Sequence, residues 1–565
     1  MHSPWLFFWV ILASYLATAS GHLDSPDAEI QFRTTKSMAL RFSMAIAPLG
    51  EDGFASRRGP DGQDYAQYGV GMPLLAVPFY YAGAALSAVI PEAWVHRVVW
   101  PITQYHGGST EEYLLRFGVS FFNIPVSAAA SALFFALMLH LGLPAHGAWM
   151  AGLLHALGTY QWAHSRTFFS EPLAALLIFA SFMLIFHWHR RIDDHPADGL
   201  SVPRPRPWML PIWAGILAGF AVLVRKDSAL FFPGLCIYAT LPLVLRAGPV
   251  DRAPAATEDW RATMPLFSTA RWQWQPHLFR PVALGATLLT GGMVLGLVTH
   301  FVVAWLQFGD PTSLGYEDQP EGINFSTPLF AGLYGFLFSA GKGLYFFSPA
   351  LVLAAVGMWR LGRSAPRLTV GMVLVIVPFC IAMSKWQNWA GGWCWGPRHI
   401  HQIHIFLALG LAGWIASGML AARAQAGEPS ESAPSADASP AIAPFHRLWS
   451  WVFLIVGAGV QLYGSSQHAV DYYMAAYRNA RQEPSLVARS LYTPGEAAEY
   501  FVLKVAPDGS RLGPVPLSQS GVTAPINDSI YVPQNGQWYG YAAMWRARIH
   551  DFLLLHVLVA MIAQR

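Results

Sequence analysis

The chain has 565 residues, 54% of them hydrophobic and 12% charged, about half the roughly 25% charge of an ordinary soluble domain. With 35 basic against 32 acidic side chains the formal net charge is +3, too thin a surplus over this length for a nucleic-acid partner, which needs clustered cations. The composition describes a membrane-embedded protein, and Cys236, Cys380 and Cys394 lie in or beside apolar runs, where they supply neither a disulfide framework nor a spaced zinc site.

Runs of about 20 mainly apolar residues predict an all-α polytopic membrane protein of about 12 transmembrane helices. The expected spans are 4–20, 117–141, 146–162, 172–189, 209–224, 228–246, 283–306, 345–361, 368–384, 403–422, 447–463 and 549–563. The first ends in Ala17-Thr18-Ala19, which has the look of a signal-peptide cleavage site. No Lys or Arg precedes it, and this favours an anchor over a cleaved leader.

Arginines orient the spans. Arg190, Arg191, Arg204 and Arg206 share one connection, Arg246, Arg252, Arg261, Arg271 and Arg280 the next, and Arg360, Arg363 and Arg367 a third; the positive-inside rule makes these cytoplasmic. Residues 21–116 then form a first external loop. The apolar stretch 70–90 inside it, with Pro73 and Pro78, is expected as a broken helix in the outer interface, and 328–340 is read the same way. The resulting organisation is a transmembrane module over 1–422, a disordered cytoplasmic linker over 423–446 rich in Ala, Ser, Pro and Glu, and C-terminal spans over 447–565 around an external loop, 464–548.

Chemistry concentrates on the external side of this topology. Asp24, Asp27 and Glu29 follow the first span, and Glu171 opens another in Arg166-Thr-Phe-Phe-Ser-Glu171-Pro172. A partly buried carboxylate there could take a proton from a membrane-borne substrate, or the acids could be solvated loop residues and a helix-dipole partner. Asp27 and Glu171 together could also hold a divalent cation, although no spacing demands one. Cations are unusual in short external loops, yet Arg225, Lys226, Lys342, Lys385 and Arg398 fall there. A phosphate or pyrophosphate head group would explain them; so would pairing with acids such as Asp227. The turn Lys385-Trp386-Gln-Asn-Trp389-Ala-Gly-Gly-Trp393-Cys-Trp395-Gly-Pro-Arg398-His399 reads either as an interfacial tryptophan belt or as aromatic faces for a sugar ring or lipid phosphate. His399, His401 and His404 could face a site or serve packing. No P-loop, nucleophile-elbow or H-E-x-x-H pattern occurs.

In order and spacing, several short patterns resemble the GT-C superfamily of polytopic glycosyltransferases, especially bacterial relatives of dolichyl-phosphate-mannose protein mannosyltransferases and the lipid A aminoarabinose transferase. They are Asp27-Ala-Glu29; Tyr65-Ala-Gln-Tyr68-Gly-Val-Gly-Met-Pro73; Ser165-Arg166 with Glu171-Pro172; Phe308-Gly-Asp310-Pro with Gly315-Tyr316; Lys342-Gly with Ser348-Pro349; and Trp389-Ala-Gly-Gly-Trp393 with Gly396-Pro-Arg398. The resemblance covers about residues 20–410.

It implies a GT-C-type fold with a membrane-parallel helix in the first external loop. It also implies transfer of a sugar from a polyprenyl-phosphate carrier to a lipid, glycan or protein acceptor, with inversion. By the same resemblance Asp27 is the general base, Glu171 assists it or binds metal, and Lys342 and Arg398 hold the carrier phosphate. Tyr65, Tyr68, Arg166, Trp389, Trp393 and His399 join them as candidate substrate-binding residues. The family often has adjacent Asp-Glu where Ala28 here separates the two, so Asp27 and Glu29 both remain candidates for the base. No cofactor is implied beyond the divalent cation. The location implied is a bacterial inner (plasma) membrane with the site facing the periplasm or exterior. The rival function is a transporter or flippase for a lipid-linked or anionic solute.

Overall fold

The computed structural model describes residues 3–23, 25–48, 55–95, 109–193, 208–245, 272–317, 324–339, 342–387, 389, 391, 394–426, 441–466, 501–505, 511–516 and 552. They are mostly helical, as the hydropathy pattern predicts. Among the described residues seven helices are long and apolar enough to cross a membrane: Gly71–Val89, Thr110–His140, Glu171–Asp193, Pro276–Phe308, Pro366–Lys385, Arg398–Gln425 and Pro444–Ser465.

Several expected spans differ from this set. Residues 4–20 and 209–224 form the shorter helices Pro4–Ala17 and Met209–Val224. Residues 228–246 give a 3-10 turn, Lys226–Phe231, and then a nine-residue helix, Phe232–Thr240. The 345–361 run is broken at Ser348-Pro349 into Leu344–Phe347 and Ala350–Ser364, because proline lacks the N–H and restricts the residue before it. The 146–162 run breaks after Gly158, where Thr159 is extended. The last span, 549–563, and most of 427–440 and 464–548 lie outside the described residues; within the latter, β4 (Phe501–Val505) and β5 (Arg511–Pro516) pair antiparallel.

The stretch 70–90 also departs from expectation. It is one continuous helix, Gly71–Val89, with Pro78 inside it. Its apolar face packs on Thr110–Ser120 through a close glycine contact: a Cβ at Gly118 would lie 2.4 Å from the carbonyl of Phe79, and one at Gly83 2.4 Å from that of Leu114. Backbones this close bury enough surface to outweigh the single hydrogen bond that Pro78 removes. Ahead of this helix, β1 (Ala45–Ile46), β2 (Ser56–Arg58) and β3 (Asp64–Ala66) form a small antiparallel sheet in the order β1-β3-β2. Strands of two and three residues are too short for alternation to show in sequence.

Two features fix where the chemistry sits. Pro26–Arg41 starts sharply: Ser25 accepts the Ala28 N–H at 3.1 Å, Pro26 takes the first helical position, and Asp27 and Glu29 face the positive end of the dipole. The 23-residue helix Glu171–Asp193 spans about 33 Å at 1.5 Å per residue. At its far end Asp193 pairs with Arg367, whose Nε donates to the Leu245 carbonyl at 2.5 Å. Glu171 occupies the opposite end, so it and the arginines Arg190, Arg191 and Arg367 lie at opposite ends of this helix.

Candidate functional site

Four segments remote in sequence meet at Glu171: the start of Pro26–Arg41, the mouth of Glu171–Asp193, the turn after Met209–Val224, and the 3-10 turn Arg398–Ile400. Asp27 Oδ2 accepts from Arg398 Nη1 at 2.9 Å. The same guanidinium approaches Glu171 Oε1 through Nε at 3.4 Å, and its face covers the Phe169 ring with Cζ 4.5 Å from the centroid. On the other side of Glu171, Arg225 Nη1 donates to Oε1 at 2.6 Å. Arg225 also holds Asp227 through Nη2 at 2.7 Å and Nε at 3.1 Å. Gln402 closes the row, donating to Asp227 Oδ1 at 3.0 Å and accepting from the Ser228 hydroxyl at 3.0 Å.

The result is a line of alternating charge: Asp27, Arg398, Glu171, Arg225, Asp227. Asp27 is the partly open end of it, its side chain 22% exposed where that of Glu171 is 2%. Glu171, enclosed between two guanidiniums, is an anchor. Asp27, with one guanidinium and an open side, is the group a substrate can reach. Burial works against the charge on Arg225, but Asp227 and Glu171 outweigh it and hold the guanidinium above its ordinary value.

Two tyrosines face the same acids. Tyr68 lies beside Asp27, and burial, the Asp27 charge and Tyr316 push its phenol well above the usual range. Tyr316 is raised by burial, with the charges of Asp27 and Asp227 adding and that of Arg225 opposing. Both therefore stay protonated donors at neutral pH. Beside Tyr316, Lys226 Nζ donates to the carbonyls of Gln67 (3.0 Å) and Leu314, and burial lowers it to about 8.

Other sequence candidates fall elsewhere. Glu29, two residues on from Asp27, points to the opposite side of its helix, since two residues advance the direction by about 200°. It receives Arg116 Nε and Nη2, both at 2.8 Å, and Arg33 Nε at 3.1 Å. Burial alone would raise its carboxyl; these two arginines hold it below the ordinary glutamate value. Glu29 is thus engaged in tying two helices together. Lys342 is fully buried, and its ammonium donates to the Cys394 carbonyl at 2.8 Å, which makes it a brace for the turn preceding Arg398. Tyr65 gives its hydroxyl to Asp61 at 2.6 Å. Arg166 covers the Phe552 ring at 5.8 Å, and His399 lies against Trp386 with centroids 4.8 Å apart.

Trp389 is 2% exposed and wedged over Gly335 and Phe336, so it packs in the bundle and offers no open face to a sugar. Asp24 and Trp393 lie outside the described residues. Arg225, Asp227, Gln402 and Tyr316 were not singled out as site residues from the sequence. For Arg225 the sequence leaves a phosphate head group and the nearby Asp227 both open as partners; the structure shows the Asp227 pair and adds Glu171, 54 residues away. The available signal for Gln402 was a polar residue beside an apolar run.

The arrangement does not suit the divalent cation considered for Asp27 and Glu171. Arg398 already takes Oδ2 of Asp27 and Arg225 takes Oε1 of Glu171, and among the described residues no three His, Cys, Asp or Glu side chains are grouped to hold a metal. Behind the site lie four buried imidazoles, His155, His164, His401 and His404, with Tyr160 among them. His155 and His404 stack at 5.3 Å with planes 10° apart, which keeps their nitrogens from converging.

No family model matches the chain, and no curated protein does. Among solved structures it is similar to the archaeal oligosaccharyltransferase AglB of Archaeoglobus fulgidus, in complex with an inhibitory peptide and a dolichol-phosphate: 12% identity, TM-score 0.44, covering 85% of this chain and 58% of that one. It is also similar to ArnT of Cupriavidus metallidurans bound to undecaprenyl phosphate, with 13% identity and a TM-score of 0.42 over 99% of this chain and 78% of that one. The chain thus spans less than two thirds of the oligosaccharyltransferase's length.

Proposed function

We propose that the chain is a polytopic glycosyltransferase of the GT-C kind, moving a sugar from a polyprenyl-phosphate carrier to an acceptor at the membrane face that carries Asp27. The observation that supports this is the shared guanidinium: Arg398 lies within reach of both a partly exposed carboxylate and a buried one. A base and a bidentate phosphate ligand side by side are what displacement of a phosphate from an anomeric carbon requires.

In the reaction the acceptor hydroxyl or amine attacks the anomeric carbon while its proton passes to Asp27. A carboxylate is too weak to ionise an alcohol beforehand, so proton transfer accompanies bond formation. The C–O bond to phosphate breaks with its electron pair going to the phosphate oxygen, and polyprenyl phosphate leaves. Arg398 meets the charge that develops there, so the leaving group needs no acid. Attack from the face opposite the phosphate inverts the anomeric carbon. Tyr68, a protonated phenol beside Asp27, keeps the carboxylate oriented. The working face is the one away from the cytoplasm, the periplasm or exterior if the membrane is a bacterial inner one, since Arg190, Arg191 and Arg367 lie at the other end of the Glu171–Asp193 helix from Glu171.

The test is to incubate purified protein with radiolabelled polyprenyl-phosphate sugars and candidate acceptors, in detergent and in sealed vesicles. Labelled acceptor that depends on Asp27 supports transfer. Label that changes leaflet without changing chemically identifies a flippase instead, and neither outcome leaves a scaffold.

A further inference from the structure

The phosphate-binding arginine and the catalytic base are bonded to each other. Arg398 Nη1 rests on Asp27 at 2.9 Å, so the group that must accept a proton has a guanidinium on one of its oxygens. A guanidinium so placed stabilises the charged carboxylate and covers the lone pairs an acceptor proton would need. Asp27 is tied by one arginine. Glu171 is held by two, Arg225 at 2.6 Å and Arg398 at 3.4 Å, and Arg225 is itself fixed by Asp227 and Gln402. One end of the charge line is rigid, and the Asp27 end is open. An arriving phosphate has oxygens for the same fork and carries more charge than a carboxylate.

Resting on the reading of the site as a carrier-dependent transferase, we propose that Arg398 exchanges partners. It holds Asp27 in the empty site, and it turns to the donor's phosphate when that binds, so that donor binding itself frees the base. Tyr68, a protonated phenol beside Asp27, is the positioning residue that takes up the freed carboxylate oxygen once the arginine has gone. Arg398 remains beside Glu171 throughout, so the movement is a rotation of the guanidinium and needs no backbone change. The consequence is order: an acceptor arriving first meets a covered base, and a bound donor uncovers it. In thermodynamic terms Asp27 and phosphate compete for one arginine, and competition of this kind is reciprocal.

The experiment measures binding of sugar-free undecaprenyl phosphate, with inorganic phosphate as a second probe, to the full-length protein in detergent. Asp27→Asn takes the charge off the competitor and leaves only a neutral acceptor. It is expected to bind the lipid about fivefold more tightly than the unaltered protein, the scale of one partly exposed ion pair. The gain should vanish in an Arg398→Lys background, where the fork is lost and a charge remains.

A gain that persists there comes from through-space charge and overturns the exchange, as does unchanged or weaker binding by Asp27→Asn. Inorganic phosphate showing the same gain places the competition at the phosphate itself; a gain confined to the lipid assigns it to tail contacts and overturns the proposal. Failure of the unaltered protein to bind the lipid at all would sink the transferase reading instead.

An independent arm follows the Asp27 carboxylate band by infrared difference spectroscopy against Asp27→Asn. The band is expected to shift when undecaprenyl phosphate is added, and a static band overturns the exchange even if an arginine variant fails to fold. For Tyr68→Phe kcat should fall with KM and the melting temperature unchanged. A loss of kcat that only follows the loss of folded protein would make Tyr68 merely structural.

Discussion

Asp27 and Arg398 are 371 residues apart in the chain and 2.9 Å apart in space. Their contact joins the first turn of Pro26–Arg41 to the 3-10 turn that opens the Arg398–Gln425 helix. Asp27→Asn keeps the shape and can still accept a hydrogen bond from Arg398, so it should leave the melting temperature nearly unchanged. Transfer should fall about 10²- to 10⁴-fold, the usual worth of general-base help. Turnover by radiolabel transfer and a melting curve in the same detergent measure both, and retained turnover would remove Asp27 from the chemistry.

Glu29 should behave in the opposite way. It takes both Arg116 contacts at 2.8 Å in a mostly buried setting, and breaking such a pair from one side costs about 3–5 kcal/mol. Glu29→Gln is therefore expected to lower stability clearly, with transfer falling only as folded protein is lost. Because its folded value is depressed, Glu29 contributes stability that is fully present above the ordinary glutamate value and is lost as pH falls through the lower, folded one. Melting curves taken down that range should separate the two proteins least at the acid end.

The difference between these two acids shows how far sequence carried the site. Asp27 and Glu171 were accessible because each opens a helix after an apolar run, and Arg398 because it is a cation on the side where cations are scarce. Nothing local could rank Asp27 over Glu29: the choice rests on which helix face meets Arg116, 87 residues on. Lys342 carried the same signal as Arg398, and only packing shows that its ammonium ends on a carbonyl. Trp389 likewise reads as a surface aromatic until the glycine beside it, Gly335, places it in the bundle. Helical character followed from hydropathy, whereas the breaks at Thr159 and Ser348, the small sheet and the continuity of Gly71–Val89 depend on contacts between segments.

Lys226 supplies a pH test outside the acid range. Burial lowers it from 10.5 to about 8, so between those values the unfolded chain binds more protons than the folded one, and stability rises with pH across that window. Below about 8 both states are charged and the full burial cost is present. Lys226→Gln should remove this component, worth up to about 3 kcal/mol, and flatten the melting temperature between pH 8 and 10. A slope that survives the substitution would assign it to another group.

The helix that delivers Arg225 to Glu171 depends on glycine. Met209–Val224 crosses Phe279–Phe308 so closely that a Cβ at Gly296 would lie 2.3 Å from the Gly219 backbone, and one at Gly219 2.6 Å from the Gly292 carbonyl. Small residues at such crossings let backbones touch, and in a membrane that packing is a principal force between helices. Gly219→Ala must push the pair apart at a cost of about 1–3 kcal/mol. It also draws Arg225, which directly follows the helix, away from Glu171. Lower stability should therefore come with weaker donor binding. Gly291→Ala is the control, since its Cβ would meet nothing within 4 Å; it should be neutral or slightly stabilising. Equal loss in both variants would mean that helix propensity, and not the crossing, governs the effect.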